Sequence, residues 1–376
     1  MYRLLHVITD TNIGGAGILL LNQLRHFDRS RFDVSVVLPR GSELESRVRA
    51  LGYDVVDSQH GANASFELGA VGEYRRIIEM SAPDIVHCHG AFSARVAARR
   101  AGVPVRIFTR HCAYPPHGIS TTPPARWLYG RMTDRLSTGI VAVAEAARED
   151  LLALGATPDR IRVIINGSEP QRHLEGGEMA ELRHELGIKD DEIVAGMFAR
   201  LEPCKGHRYF LEALARLPSD SRVRALICGR GSLEAELRAQ AERLGIASRV
   251  VFAGFCTDIA PYMNISRINV NCSVGTETSS LALSEGMSLG VVPVVSNYGG
   301  NGAMVRDGVY GFVIPPANPD ALASALRRLE LDRELLDAMS RAAAESYAER
   351  FTAERMTRQL EEFYLNQLAA AGVCRP

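Results

Sequence analysis

The sequence predicts an α/β protein of two doubly wound domains, each a parallel sheet covered by helices. Short apolar runs alternate with amphipathic stretches in two separate series, as strand-helix alternation in a parallel sheet requires. Between the series, Gly167 to Gly177 interrupts both periodicities with Asn, Gly, Ser and Pro. The 376 residues, 46% of them apolar, exceed what one hydrophobic core organises.

In the first series Leu4 to Ile8, Val34 to Leu38, Ile85 to His87, Val105 to Phe108, Ile140 to Val143 and Ile161 to Ile165 read as buried strands. Apolar positions from Leu19 through Phe27 and from Leu68 through Met80 recur every three to four residues, the spacing of helices that cover a sheet. The second series has strands at Ile193 to Phe198, Ala225 to Cys228, Val250 to Phe252, Ile268 to Cys272 and Val291 to Val295, with helical stretches from His207, Ser232, Ser280 and Asp320. From Asp332 the pattern is helical to Ala371, with Thr352 as a cap for a last helix that packs across one or both domains. The expected division is 1–170, 171–350 and a C-terminal helical segment 351–376.

Charged residues make up 23% and balance to a net charge of −1, which excludes a global field for nucleic acid or an anionic bilayer. No apolar run approaches the ~20 residues of a membrane span, and the N-terminus enters a strand without a secretion signal. A cytoplasmic protein is expected. The seven cysteines lack metal-like spacing and read as reduced core thiols. Only Lys189 and Lys205 are lysines, so each marks a place where arginine was not used.

The first strand runs into Gly14-Gly15-Ala16-Gly17 and a helix, an arrangement that brings backbone N–H groups close to an anion, although a tight turn needing glycine explains such a pair equally well. His111 follows the Val105 to Thr109 strand, ahead of the Pro-rich loop Tyr114 to Pro124, at the carboxyl edge where open α/β sheets bind ligands. His87 and His89 end the strand before it and read as hydrogen-bonded histidines under loops. In the second series the strand Ile193 to Phe198 leads to Arg200 and Lys205 beside a helix start, a pair of cations suited to a diphosphate. Further on, a strand end presents Glu277, and a helix starting at Ser279 or Ser280 offers free N–H groups. Glu285 lies in that helix among apolar neighbours and can accept two hydrogen bonds, as paired ribose hydroxyls require.

Ala199-Arg200-Leu201 with Lys205-Gly206, followed by Glu277 and Glu285 with seven residues between them, resembles the retaining nucleotide-sugar glycosyltransferases of the fourth sequence family (glycosyl transferases group 1) over nearly the whole chain. The resemblance implies the GT-B architecture, two doubly wound Rossmann-like domains facing across a cleft, with the acceptor side in the N-terminal domain and the donor side in the C-terminal one. It implies that Arg200 and Lys205 neutralise the diphosphate of the donor, with Ser279, Ser280 and Leu281 at the helix start beside it. Glu285 would hold the ribose hydroxyls and Glu277 would face the donor sugar. His111 would stand near the transferred sugar and Gly14-Gly15 would line the diphosphate or acceptor. The implied reaction moves a hexose or N-acetylhexosamine from a nucleotide diphosphate sugar, UDP by family habit, to a hydroxyl acceptor in glycan, envelope or glycoconjugate synthesis. It needs no cofactor and no catalytic metal.

Ser279 and Ser280 stand where the family often has an apolar residue and proline, and Ala303 replaces a common glutamate. These departures bear on the donor sugar's identity. A sugar-nucleotide epimerase of the same architecture and a non-catalytic nucleotide-sugar-binding subunit are the alternative readings. Arg126-Trp127-Leu128-Tyr129 mixes cation with aromatic, so the partners include, besides nucleotide sugar and acceptor, a membrane inner face or lipid-linked acceptor, against the simpler reading of a solvated helix. Nucleic acid is not expected, and a homo-oligomer is left open.

Overall fold

Each apolar run in the first series becomes a strand of one parallel sheet. The sheet, which gains one strand (β3) outside those runs, comprises β1 (Tyr2–Ile8), β2 (Phe32–Pro39), β3 (Asp54–Ser58), β4 (Ile85–His89), β5 (Val105–Arg110), β6 (Gly139–Ala142) and β7 (Ile161–Val163), ordered β3-β2-β1-β4-β5-β6-β7. The second series forms β8 (Ile193–Phe198), β9 (Val223–Cys228), β10 (Val250–Gly254), β11 (Ile268–Asn271), β12 (Val292–Ser296) and β13 (Phe312–Ile314), ordered β10-β9-β8-β11-β12-β13. The computed structural model describes residues 1–113, 118 and 122–375, so most of the loop expected from Tyr114 to Pro124 lies outside the described residues, and its last two prolines open the helix Pro123–Leu136.

The chain forms two units, Met1–Gly167 with Ala353–Pro376, and Ser168–Thr352. The terminal helix Ala353–Ala370 therefore belongs to the first unit and is not a separate segment. Its Met356, Leu360, Tyr364 and Leu368 share one apolar cluster with Leu19, Leu20 and Leu24 of the helix Gly15–His26. A stripe at this spacing must be buried against another element, and that helix supplies the surface. The boundary at Ser168 is set by hydrogen bonding, since the Ser168 N–H donates to Phe351 O and its carbonyl accepts from Tyr347 Oη at 2.8 Å.

In both sheets the order reverses beside the first strand of the series, between β1 and β4 and between β8 and β11. Loops leaving the carboxyl ends on either side of such a reversal diverge and open a crevice for ligand. β4 is buried along its whole length. Its alternate residues Ile85, His87 and His89 share a face with Leu4, His6 and Ile8 of β1, because His6 is paired with His87 in register.

β3 and β13 do not stand out in the sequence. Both are edge strands of five and three residues, and an edge strand is sheltered by one neighbour only, so its apolar signal is weak.

Candidate donor site and the histidine stack

At the reversal of the second sheet, the segment after β8 meets the segment after β11. The β8 chain passes Arg200, turns through Pro203–Lys205 and enters the helix His207–Arg216 at Gly206. Gly206 has φ 75°, and a Cβ there would stand 2.1 Å from the carbonyl oxygen of Cys272, so only glycine lets the two segments approach. That approach brings Lys205 Nζ to 2.7 Å from Glu277 Oε2.

The same Glu277 oxygen accepts from Ser273 Oγ at 2.7 Å and from Asn271 Nδ2 at 3.3 Å. Burial pushes the Glu277 carboxyl up, but the Lys205 ammonium and these donors outweigh it and hold the group below its usual range. Glu277 follows Thr276, a β-branched residue at φ 46°, a conformation costing about 1–3 kcal/mol. Behind it, Gly299 packs so closely that a Cβ would lie 1.9 Å from the Glu277 carbonyl oxygen.

Lys205, Asn271, Glu277 and Ser280 line a cavity of about 80 Å³ together with Ala282 and Leu283. Ser280 is the N-cap of the helix Leu281–Ser288, and its side chain makes no capping hydrogen bond. The first turn of any helix leaves N–H groups without intrahelical partners and carries partial positive charge. The cavity thus joins an ammonium, a helix start and a carboxylate whose contacts all go to one oxygen.

Of the residues expected from the sequence, Lys205, Glu277 and Ser280 come together here. Arg200 is exposed at the end of β8 and does not line the cavity. Glu285 does not line it either; its carboxylate has no hydrogen-bond partner among the described residues, and burial pushes it up to about 7. Ser279 is buried with Oγ 3.9 Å from Met304 Sδ, and Leu281 is the first helical residue outside the cavity lining. Asn271 and Ser273 do not stand out in the sequence. Their signal is positional, since both flank the strand end that presents Glu277.

In the first unit, Gly14 caps the helix Gly15–His26, and neither Gly14 nor Gly15 has positive φ or any atom within 4 Å of a built Cβ. A tight turn needing glycine is therefore not what the pair provides; it leaves open space in front of a helix start. His111 follows β5 and pairs through Nε2 with His89 Nδ1 at 3.0 Å. His89 Nε2 in turn meets His6 Nδ1 at 3.0 Å, and His87 bonds Tyr364 Oη at 2.5 Å and Thr109 Oγ1 at 2.6 Å. Burial depresses all four imidazoles, His6 to about 3, His111 to about 4 and His87 and His89 well below the usual value.

The nitrogens of His6, His87 and His89 lie within 4.8 Å of one another, the one such group among the described residues that could hold a metal ion. The rings of His87 and His89 stack at 4.5 Å and 22°, and those of His6 and His89 at 5.2 Å and 23°. Imidazole lone pairs lie in the ring plane, so stacked rings do not aim at a common point, and every nitrogen but His6 Nε2 is already hydrogen-bonded.

Residues 13–172 match the model of Glycosyltransferase Family 4, and residues 178–346 match that of Glycosyl transferases group 1. A D-inositol 3-phosphate glycosyltransferase of Acidothermus cellulolyticus is 30% identical over 311 residues, covering 76% of this chain and 68% of that protein. The chain belongs to the group 1 glycosyltransferases. This transferase is also 24% identical over 381 residues, 97% of each protein, to the Escherichia coli UDP-Gal:alpha-D-GlcNAc-diphosphoundecaprenol alpha-1,3-galactosyltransferase. The crystal structure of Anabaena HepE in complex with UDP superposes with a TM-score of 0.84 at 22% identity, covering 97% of this chain and all of that one. Together with the two parallel sheets, that likeness makes the architecture of this transferase GT-B.

Two outcomes are expected. Lys205→Met leaves a buried carboxylate without its counter-charge, a loss of roughly 3–5 kcal/mol, and adding Glu277→Gln recovers most of it; urea unfolding of both variants measures the difference. The four depressed histidines bind no proton in the folded state at pH values where the unfolded chain does. Stability of the first unit therefore declines as pH falls from about 6.5 towards 4, by up to ~1.4 kcal/mol per pH unit for each histidine. The raised carboxyls of Asp10 and Glu361 act in the opposite sense but are fewer. Unfolding midpoints at pH 7 and pH 5 check the sign.

Proposed function

We propose that this enzyme moves a hexosyl or N-acetylhexosaminyl group from UDP to a hydroxyl acceptor with retention of anomeric configuration. The observation that carries the reading is the Lys205–Glu277 pair in a cavity shared with the start of the helix Leu281–Ser288. An ammonium and free helix N–H groups at one place favour a phosphate. The UDP bound to the Anabaena neighbour and the UDP-Gal in the name of the Escherichia coli relative support the choice of nucleotide.

In this reading Lys205 and the helix start take one end of the diphosphate, and Arg200, exposed and free to swing, takes the other. Glu277 orients Lys205 through Oε2 and faces the sugar with Oε1. Glu285, partly neutral near pH 7, accepts the ribose hydroxyls. The C1–O bond to the diphosphate breaks as the acceptor oxygen bonds C1 from the same face, and the acceptor's proton passes to the departing diphosphate oxygen. No protein nucleophile takes part, and the positive side chains meet the growing negative charge without a metal. His111 contacts the transferred sugar, and the open space at Gly14-Gly15 admits the acceptor or diphosphate.

The seven cysteines are all free, which supports a reducing compartment, in this reading the cytoplasm. Among the described residues no helix is long and apolar enough to cross a membrane. We place a peripheral contact on the helix Pro123–Leu136, where Trp127 and Leu128 are exposed beside Arg126 and Arg131. The diphosphoundecaprenol in the relative's name supports a lipid-linked acceptor.

Arg200→Ala should lower turnover by about a hundredfold, the usual loss of one such donor, without shifting the unfolding midpoint. A UDP-sugar at a hundred times its dissociation constant should stabilise the wild type by about 2.7 kcal/mol; no shift with any UDP-sugar would end the reading. Flotation with anionic liposomes at low salt should be lost in Trp127→Ser combined with Leu128→Ser.

A further inference from the structure

Two thiols meet at the carboxyl end of the β9–β10 pair. Cys228, the last residue of β9, stands in register with Gly254, the last of β10. Gly254 has φ 73°, and the chain turns there so that Cys256 Sγ comes back to 3.6 Å from the Gly254 carbonyl oxygen. That same oxygen accepts from the Gly229 N–H at 2.7 Å, one residue beyond Cys228. One carbonyl thus ties both cysteines together, and their side chains enter the same apolar cluster with Phe198 and Tyr262.

The two thiols are not alike. Cys228 is buried and Cys256 half-buried. A hydrogen bond from Cys228, joined by one from Tyr262, outweighs burial and brings Cys256 down to about 7; donating that bond, burial and the neighbouring charge push Cys228 up. A half-buried thiolate with a second thiol against it is how peroxide-sensitive cysteines are built. Neither sulfur has a part in sugar transfer.

We propose that Cys256 and Cys228 are a dithiol that a hydroperoxide oxidises to a disulfide, Cys256 as the attacking sulfur and Cys228 as the resolving one. The Cys256 thiolate attacks the O–O bond of hydrogen peroxide and becomes a sulfenic acid, while hydroxide leaves and takes up a proton as water. Cys256 is then uncharged, so the Cys228 thiol loses the neighbour that held its proton. Its sulfur attacks that of Cys256, and the S–S bond forms as the S–O bond breaks. The Cys228 proton departs with the hydroxyl as a second water. The thiols give up two electrons, and one peroxide becomes two waters.

The disulfide acts on the donor side through the backbone. The Ala199 N–H donates to the Cys228 carbonyl at 3.1 Å and the Leu201 N–H to that of Arg230 at 3.0 Å, so Arg200 is held between two bonds to the segment that starts at Cys228. A Cβ on Gly229 would stand 2.0 Å from the Ala199 carbonyl oxygen, which leaves no slack between the segments. Drawing Cys228 towards Cys256 therefore moves the backbone that carries Arg200. This effect on turnover rests on the diphosphate role proposed for Arg200.

The full chain, reduced with dithiothreitol and freed of it, is treated with hydrogen peroxide at pH 7, blocked with iodoacetamide and mapped by peptide mass. A Cys228–Cys256 linked peptide is expected before any oxidation of Cys374, although Cys374 is the exposed thiol. Turnover with UDP-sugar should fall on the order of a hundredfold, as a displacement of about 1 Å costs, and return with dithiothreitol. Cys256→Ser should keep wild-type turnover and lose the peroxide effect, and Cys228→Ser should leave a sulfenic acid on Cys256 that dimedone traps. Oxidation of another cysteine first, Cys256 oxidised without the linked peptide, a linked enzyme of unchanged turnover, or a peroxide-sensitive Cys256→Ser would overturn the proposal. Should either variant fail to fold, the mass map and turnover of the wild type decide. Arg200→Ala is read separately: if its turnover is unimpaired, the diphosphate role falls, while the mass map still judges the dithiol.

Discussion

Glu277 is a carboxylate held almost out of water, and the second unit is arranged around making that tolerable. Desolvation alone would push it towards the neutral form, so its charge persists because Lys205, Ser273 and Asn271 all converge on one oxygen. The pair sits among backbone features that are hard to obtain otherwise. Gly206 lets the Lys205 segment approach Cys272, Thr276 accepts a left-handed conformation, and Gly299 closes on the Glu277 carbonyl. A buried ion pair is weak evidence for stability, since desolvation offsets most of the attraction. Strain concentrated around one pair is more typical of functional sites than of devices for stability.

The two units use the same topology for opposite electrostatics. Both place their polar side chains where the strand order reverses, at the carboxyl edge. In the second unit that edge gathers charge, an ammonium and a helix start around a small cavity. In the first it gathers neutral imidazoles, desolvated on a buried face and, His6 Nε2 apart, hydrogen-bonded to one another, to Tyr364 and to Thr109. Charge suits a diphosphate, and neutral directional donors suit a sugar or an acceptor hydroxyl. The difference between the two units follows from what each edge can keep ionised.

The terminal helix links these themes in the first unit. It covers the helix Gly15–His26 through Met356, Leu360 and Leu368 and sends Tyr364 into the sheet to bond His87. A segment that sequence patterning marks only as an amphipathic helix thereby becomes part of the histidine network. Amphipathicity says that a face must be buried, not against what.

Periodicity was enough to expose both doubly wound series, the break between them and most strands, because a strand buried on two faces is apolar throughout. The order and spacing of Arg200, Lys205, Glu277 and Glu285 point to the family, because charges at set places in segments far apart in the chain are more specific together than any one alone. The tertiary structure decided which of them meet: Lys205 and Glu277 pair, while Arg200 and Glu285 stand apart from their cavity. It also decided what the histidines do. Their contacts run between strands, through a register that pairs His6 with His87 and His89 with Thr109, and a single sequence carries no trace of which strand lies beside which.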